Sequence, residues 1–312
     1  MRAKTTYTVV LTHDIDHISL RKYPVFSNVT LEFFKRGLWI NLLRTLQGDL
    51  PFIQYLDSLR WCLAYPFIKL GWHQDPWEKS MDDILEIENR YRVRSSFFFI
   101  PFANRHGHIQ EGVPAKGRAI VYDIREYKDL LIKLEAGGWE VGVHGLDAHI
   151  DVDNAKEELE VIKFLLPDKK KIGIRMHWLF QSERLWKNLK EAGYYYDATF
   201  GNNNIVGFPD GQYIPFKKDG IWILPINIQE GTLLGYWRKG RLPYNPWEKV
   251  EDILAEAANK GAVVTILWHN HAFGMYHYHG HLYEKIIQKA QADGAHICRC
   301  IDVFEKLDTD NK

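Results

Sequence analysis

The chain has 312 residues, and its Lys plus Arg and Asp plus Glu residues balance at 40 each. A chain of this length can bury a large core, and a single barrel domain is enough to account for it. Because the net charge is zero, no overall field favours nucleic acid or an anionic surface, so we expect a neutral substrate and no nucleic-acid partner.

The cysteines and the ends of the chain bear on the compartment. Cys62, Cys298 and Cys300 have no spacing typical of a disulfide framework, which indicates a reducing environment. The first apolar run begins almost directly after Met-Arg-Ala-Lys, and no stretch of 18 apolar residues lacks charge. We therefore expect a soluble, cytoplasmic protein.

The first predicted strand, Tyr7 to Leu11, runs into the sequence Thr-His-Asp-Ile-Asp-His at residues 12–17. Charges beside a buried strand cost several kcal/mol unless they are paired, so we interpret this cluster as functional rather than as turn capping. In an extended chain the side-chain period is two, which puts Asp14 and Asp16 on one side. Both carboxylates are then expected to face the same cavity.

A helical insert, Ile18 to Gln74, is predicted directly after this cluster. Its stretches Thr30 to Gln47 and Phe52 to Lys69 carry apolar, aromatic and basic residues at helical spacing. This pattern fits either contact with a membrane surface or packing against a barrel, and packing is favoured because basic amphipathic patterns are weak signals on their own.

Helices and strands alternate from Asp75 onwards. The predicted helices span residues 77–91, 124–136, 154–166, 182–192, 246–259 and 282–292, and the predicted strands span residues 95–100, 139–143, 171–175, 194–196, 221–226, 262–268 and 296–300. Such alternation implies right-handed crossovers and a parallel sheet. With about eight units in one domain, an α/β barrel is the most economical arrangement.

Polar clusters follow four further strands. They are His144 to His149, Arg175 to Trp178, Asp197 to Gly201, and His269 to His271. A lone His at a strand end is more often structural than functional, but five such clusters at one rim of a barrel are not expected in a purely structural protein. An Asp/His/His set among them suits Zn²⁺ with one position open for water.

In their order along the chain, these clusters resemble the motifs of the polysaccharide deacetylase family, carbohydrate esterase family 4, also called NodB-like. The family motifs read TFDDG, H-S/T-x-x-H, R-x-P-Y/F, D-x-S/T-F/W and L-x-H. The matching segments here are residues 12–16, 144–149, 175–178, 197–200 and 267–269. The chain departs from the pattern in three ways. Its two acids are separated by one residue, its paired histidines are five apart instead of four, and its third motif lacks the proline.

The resemblance implies a distorted (β/α) barrel of about seven to eight parallel strands, forming one domain over residues 1–312 with the insert at 18–74. It also implies that Asp16, His144 and His149 bind one divalent metal ion, with Zn²⁺ the foremost candidate. Asp14 is then the general base, and Arg175 pairs with it to keep it ionised and oriented.

The remaining roles implied by the resemblance concern the leaving group. His269 is expected to protonate the leaving amine, with Asp197 favouring the charged form of His269. The oxyanion is expected to meet the metal and a backbone N–H near Met176 or His177. The implied reaction is removal of an acetyl group, N-acetyl foremost, from a sugar of a surface polysaccharide or its precursor, so the expected partner is a carbohydrate.

Two alternatives stay open. The same fold can host another amide or imide hydrolase that acts on a small cyclic substrate. The unusual spacing of His144 and His149 also fits a non-catalytic sugar-binding module with a degraded metal site. The further histidines His277, His279 and His281 are interpreted as rim residues rather than as a second metal site. The oligomeric state is left open.

Overall fold

A computed structural model of the chain describes residues 6–109, 118–236 and 242–310, and within these ranges ten strands form one sheet. The strands are β1 (Thr8–Ile15), β2 (Ser96–Phe99), β3 (Glu140–Gly145), β4 (Gly173–Met176), β5 (Tyr196–Asp197), β6 (Phe216–Lys218), β7 (Ile221–Ile223), β8 (Ile228–Gln229), β9 (Val263–Leu267) and β10 (His296–Cys298).

Eleven α-helices lie in the same ranges, with short 3₁₀ turns between some of them. They are α1 (Asn28–Lys35), α2 (Asn41–Leu46), α3 (Phe52–Lys69), α4 (Pro76–Tyr91), α5 (Lys128–Ala136), α6 (Val152–Leu165), α7 (Leu185–Ala192), α8 (Glu230–Leu233), α9 (Pro246–Lys260), α10 (Gly280–Ala292) and α11 (Cys300–Asp310).

The sheet has the order β6-β7-β5-β4-β3-β2-β1-β9-β8, and β10 also pairs with β1. All pairs are parallel except β6 with β7, and the sheet is curled into a half-barrel, which confirms the predicted distorted (β/α) barrel. The strand count was predicted too low. The antiparallel β6 was not expected, and the strand predicted over residues 221–226 ends at Ile223 and is followed by a separate β8.

A short crossing segment, residues 224–227, lies where a full barrel would close. The backbone N–H of Leu224 donates to the carbonyl of Asp197 at 2.8 Å, and that of Asn227 donates to the carbonyl of Thr265 at 3.0 Å. The segment thus joins the β5 side of the sheet to the β9 side through single hydrogen bonds, not through a strand ladder.

Strand β1 is longer than predicted and carries the acidic cluster inside the sheet. Residues 12–15 pair in register with residues 96–99 of β2, so Asp14 belongs to the strand. Val9 and Leu11 pack into the main apolar cluster and Val10 into a second one on the other face, so β1 is covered on both sides as predicted. Val10, Thr12 and Asp14 therefore point into the barrel.

The insert is helical, as predicted, and lies beside the loop that follows β9. One turn of π-helix, Arg36–Ile40, connects α1 to α2. The Asn41 side chain donates to the carbonyl of Met275 at 2.9 Å, and Arg44 donates to the carbonyl of His277 at 3.1 Å. At the opposite end of the barrel, α11, which was not predicted, places Phe304 on Tyr196 with ring centroids 4.8 Å apart.

No helix in the described ranges is both long enough and apolar enough to cross a membrane.

Candidate metal centre

Three donor atoms converge at the C-terminal ends of β1, β3 and β4. The Oδ1 atom of Asp16 lies 3.5 Å from Nε2 of His144 and 3.4 Å from Nδ1 of His177. The two imidazole nitrogens are 2.9 Å apart. Tetrahedral Zn²⁺ with bonds of about 2.1 Å places ligand atoms about 3.4 Å apart. Both distances from Asp16 match this spacing, and the two imidazole nitrogens would move apart by about 0.5 Å to hold one ion with a fourth position left over.

The protonation of the two imidazoles suits metal binding. The Nδ1 atom of His144 lies 2.9 Å from the carbonyl oxygen of Arg175, which only accepts, so Nδ1 carries the proton and Nε2 presents its lone pair to the cluster. Burial lowers the pKa of His177 to about 3, despite the opposing charge of Asp16 nearby. His177 is therefore suited to act as a neutral ligand, and His144 directs Nε2 towards the cluster.

The carboxylate of Asp16 is ionised and lacks a conventional hydrogen-bond donor for Oδ1. Burial favours its neutral form, but His177, His144 and His269 around it bring the pKa well below its usual range. Oδ1 is buried and has no hydrogen-bond partner in the described structure. A buried, ionised oxygen without a hydrogen-bond donor is stabilised by a nearby cation, and a bound metal ion would be such a cation.

His149 is not part of this cluster, and here the structure corrects the sequence interpretation. Strand β3 ends at Gly145, and the buried carboxylate of Glu158 accepts the backbone N–H groups of Leu146 and Asp147 at 3.0 and 2.5 Å. The turn that follows carries His149 away, to a separate cavity where its ring lies 5.9 Å from that of His108. His177 takes the third position instead.

The sequence contains a signal for His177 that was overlooked. Arg175 lies in β4 and points into the barrel, and His177 is two residues further on, so the same period of two that groups Asp14 with Asp16 places both side chains on one side. The expected match to the second family motif drew attention to His149 in its place.

Asp14 and Arg175 form the predicted ion pair. Both side chains are buried, and Nη1 of Arg175 donates to Oδ1 of Asp14 at 2.9 Å and to the hydroxyl of Thr12 at 2.8 Å. Burial raises the pKa of Asp14, but Arg175, His144 and His269 outweigh it and hold the pKa below its ordinary value. The other oxygen, Oδ2, lies 3.7 Å from Nε2 of His144, so it faces the donor cluster.

His269 approaches the cluster at the second carboxylate oxygen of Asp16, and its partner is Glu230. Nδ1 of His269 lies 2.7 Å from Oε1 of the fully buried Glu230, and Nε2 lies 3.8 Å from Oδ2 of Asp16. Burial opposes the charge on His269, but Glu230 and the two aspartates prevail and raise its pKa to about 10. His269 is therefore protonated at neutral pH.

The expectation that Asp197 would set the charge of His269 is not supported by the geometry. Asp197 accepts hydrogen bonds from the backbone N–H of Thr199 at 3.0 Å and from the indole of Trp186 at 2.9 Å, and burial raises its pKa to about 6. The turn that it holds presents the carbonyl of Ala198 to Nε of Arg175 at 2.9 Å. Asp197 thus positions Arg175 rather than His269.

Glu230 was missed because it follows β8, a strand that the sequence did not reveal. Its alternation from Ile226 to Glu230 gave the only hint. Together with His269 and His271, Glu230 forms a second group of donors whose atoms lie within 4.8 Å of one another. Because Nδ1 of His269 is already paired with Glu230 at 2.7 Å, we interpret this group as a charge pair with a neighbouring imidazole.

A cleft of about 410 Å³ gives access to these residues. Trp178, Leu179 and Phe180 form one wall of it, and Asn203 and Asn204 lie on its rim. The backbone of Trp178 and Leu179 is left-handed, with φ of 61° and 56°, a conformation that costs free energy for such residues and recurs at functional sites.

The predicted oxyanion donors differ in availability. The backbone N–H of Met176 already donates to the hydroxyl of Thr199 at 2.9 Å. This leaves the N–H of His177 as the candidate of the two.

Comparisons with known proteins bear on the fold. A protein from Mycobacterium smegmatis assigned as a polysaccharide deacetylase superposes with a TM-score of 0.57 at 12% identity, covering 100% of this chain and 93% of that one. The PuuE allantoinase gives a TM-score of 0.55 at 11% identity, covering 97% and 90%. The chain has the polysaccharide deacetylase fold. Neither a protein-family model nor a curated protein matches the sequence.

The polysaccharide deacetylase fold is shared here by proteins named for two different reactions, so the likeness alone does not select one of them.

Proposed function

We propose that this protein is a metal-dependent hydrolase that removes an acetyl group, N-acetyl foremost, from a sugar of a surface polysaccharide or its precursor. The observation that carries the proposal is that an ionised carboxylate and a protonated imidazole both lie against the donor cluster. The ionised Asp14, paired with Arg175, lies beside His144, and the protonated His269, paired with Glu230, lies beside Asp16. Such a pair of base and acid is what hydrolysis of an amide requires.

Asp16, His144 and His177 would hold the divalent metal, with Zn²⁺ the foremost candidate. When bound, the ion polarises the acetyl carbonyl and lowers the pKa of water at the open position. Arg175 fixes Oδ1 of Asp14, so Oδ2 is free to accept the proton of the attacking water.

The leaving amine receives its proton from His269. Glu230 occupies Nδ1, so the proton on Nε2 is directed towards the cleft. Attack of water on the carbonyl carbon, followed by cleavage of the C–N bond and transfer of this proton to nitrogen, yields acetate and the free amine. The backbone N–H of His177 would donate to the oxyanion formed between attack of water and cleavage of the C–N bond.

Metal content and acetate release from N-acetylated sugars, free and lipid- or nucleotide-linked, test the proposal. His177→Ala is expected to lose both metal and activity, and its matched control His149→Ala is expected to keep the metal. Asp14→Asn should retain the metal and lose about three orders of magnitude in rate, within the range for removal of a positioned base. Metal loss in His149→Ala with retention in His177→Ala would overturn the ligand assignment.

A second candidate is hydrolysis of a cyclic amide or imide, which is favoured by the similarity of fold to the PuuE allantoinase. The same residues serve both reactions, since each breaks a carbonyl C–N bond. Ring opening of cyclic amides and imides, assayed beside acetate release with the same preparation, distinguishes the two. A non-catalytic binding module is less well supported. It was considered because the unusual spacing of His144 and His149 suggested a degraded metal site, but His177 lies beside Asp16 and His144 in place of His149.

A further inference from the structure

The exposed large apolar side chains are concentrated in the insert. Of 19 such residues in the described ranges, 14 lie between residues 25 and 72. They are Val25, Phe26, Leu31, Leu38, Trp39, Leu43, Leu46, Phe52, Ile53, Leu56, Leu63, Phe67, Leu70 and Trp72. Such a concentration of exposed apolar side chains in one segment is typical of an interaction site.

Helix α3 has two apolar faces. Its inner face is buried and includes Cys62 and Tyr65. Its outer face carries Ile53, Leu63 and Phe67, which are 71%, 77% and 50% exposed. The spacing of these outer residues, with Leu56 between the first two, follows the three- and four-residue intervals of one helical stripe.

The helical run through α1, the π-helical turn and α2 has the same arrangement. Leu38, Trp39, Leu43 and Leu46 are exposed at helical intervals, while Phe33 is buried. Phe33 packs into the same apolar cluster as Cys62 and Tyr65 of α3. Both inner faces turn towards one cluster, so each outer stripe faces away from that cluster.

The charge of the insert complements an anionic surface. Residues 18–74 contain seven basic and three acidic residues, within a chain that is neutral overall. Lys22, Lys35 and Arg60 are exposed, and of these Lys22 pairs with Glu126 and Lys35 with Glu32. Trp39 and Trp72 are 60% and 75% exposed, and indole rings favour the level of lipid headgroups.

We propose that the outer face of the insert docks on an anionic lipid bilayer and lies in the plane of its interface. A large apolar face flanked by basic residues and Trp is the composition that binds there, and no helix in the described ranges spans a bilayer. A second copy of the chain fits the same face less well. A twofold contact would bring two surfaces with the same excess of positive charge together.

Flotation of the purified full-length protein with vesicles tests this surface. The wild-type protein is expected to float with vesicles of phosphatidylglycerol and phosphatidylcholine, less with phosphatidylcholine alone, and less as salt is raised, because the lipid charges are screened. Ile53→Gln/Leu46→Gln/Leu63→Gln should bind at least about tenfold more weakly, since three apolar side chains are lost from the interface.

The matched control changes three residues of similar exposure elsewhere. Phe164, Ile205 and Ile214 are 72%, 66% and 59% exposed, and Phe164→Gln/Ile205→Gln/Ile214→Gln should float like the wild type. Circular dichroism and thermal unfolding of both triple variants report whether the fold is kept. If the insert variant is unfolded, Leu46→Gln alone is compared with Phe164→Gln.

Two results would overturn the proposal. One is equal flotation of the folded insert variant and the wild type. The other is a wild-type protein that does not float on anionic vesicles, and a dimer in solution that the insert variant does not form would then identify a second copy of the chain as the occupant of this face. No substrate is present in these assays, so their outcome does not depend on the reaction at the metal centre.

Discussion

Glu230 determines the charge of His269, because it is fully buried and forms a 2.7 Å ion pair with Nδ1 of that ring. An acid catalyst must be protonated, so the rate is expected to fall as the pH rises through the pKa of His269, which Glu230 helps to raise to about 10. Glu230→Gln keeps a hydrogen-bond acceptor but removes the charge. The alkaline limb of the pH–rate profile should move to lower pH, with a loss of about tenfold or more at pH 8.

Asp197→Asn is the control for this prediction. Asp197 lies beside Thr199 and Trp186 and has no contact with His269 in the described structure, so its replacement should leave the alkaline limb in place. Metal content should be unchanged in both variants. A shift of the alkaline limb in Asp197→Asn, with none in Glu230→Gln, would show that Asp197 rather than Glu230 determines the charge of His269.

Residue-scale prediction from the sequence succeeded where the backbone was regular. The period of two in an extended strand correctly grouped Asp14 with Asp16, and it also holds for Arg175 and His177. This period gives no information about the turn after β3, so the position of His149 could not be predicted from it. Glu158, a buried acid twelve residues beyond Leu146, fixes that turn by accepting the N–H groups of Leu146 and Asp147.

At the scale of elements, the fit between the π-helical turn and α3 depends on Gly37. A Cβ atom at this position would meet Sγ of Cys62 at 2.4 Å and the terminal methyl of Met275 at 3.1 Å. Gly37→Ala should therefore lower the free energy of unfolding by about 1–3 kcal/mol, a typical cost of overpacking, despite the better helix propensity of Ala. Urea unfolding followed by circular dichroism measures the change.

The double variant Gly37→Ala/Cys62→Ala provides the internal control. Removing Sγ vacates the space that the new methyl group requires, so the double variant should be less destabilised than the sum of the two single changes. Additive effects would mean that the contact with Met275, rather than the contact with Cys62, determines the loss of stability in Gly37→Ala.

Long helices and buried strands of the barrel were predictable, but its open side was not. Strands β5 and β8 have two residues each, and β6 and β7 have three each, too few for a period to be read from the sequence. Each is held by a ladder of only two or three residue pairs, and hydrogen bonds from the crossing segment, such as that from Asn227 to the carbonyl of Thr265, add to these ladders. Glu230 was missed for this reason, since it belongs to the segment that completes this side.

At the scale of the whole molecule, the apolar core rather than the metal centre stabilises the folded state. The main apolar cluster runs from Tyr7 to Ala290 and includes side chains from β1, β2, β3, β4 and β9. The donor cluster, by contrast, lies at one rim, on residues that follow or end their strands. A domain built in this way is expected to fold without its ion, unlike small zinc modules whose folding depends on metal binding.

Removal of the metal should therefore lower the melting temperature without unfolding the protein. Metal at about 100 times its dissociation constant stabilises the native state by about 2.7 kcal/mol. For a chain of 312 residues this corresponds to a rise of about 4 °C, given an unfolding entropy of about 2.1 cal/mol/K per residue. Calorimetry with chelator and then with added Zn²⁺ measures the shift, and far-UV circular dichroism at 25 °C shows whether the chelated protein stays folded. His149→Ala should show the same rise as the wild type and His177→Ala none, because only His177 has its Nδ1 beside Asp16 and His144. A chelated protein that loses its circular dichroism at 25 °C would mean that the ion, not the apolar core, holds the strand ends together.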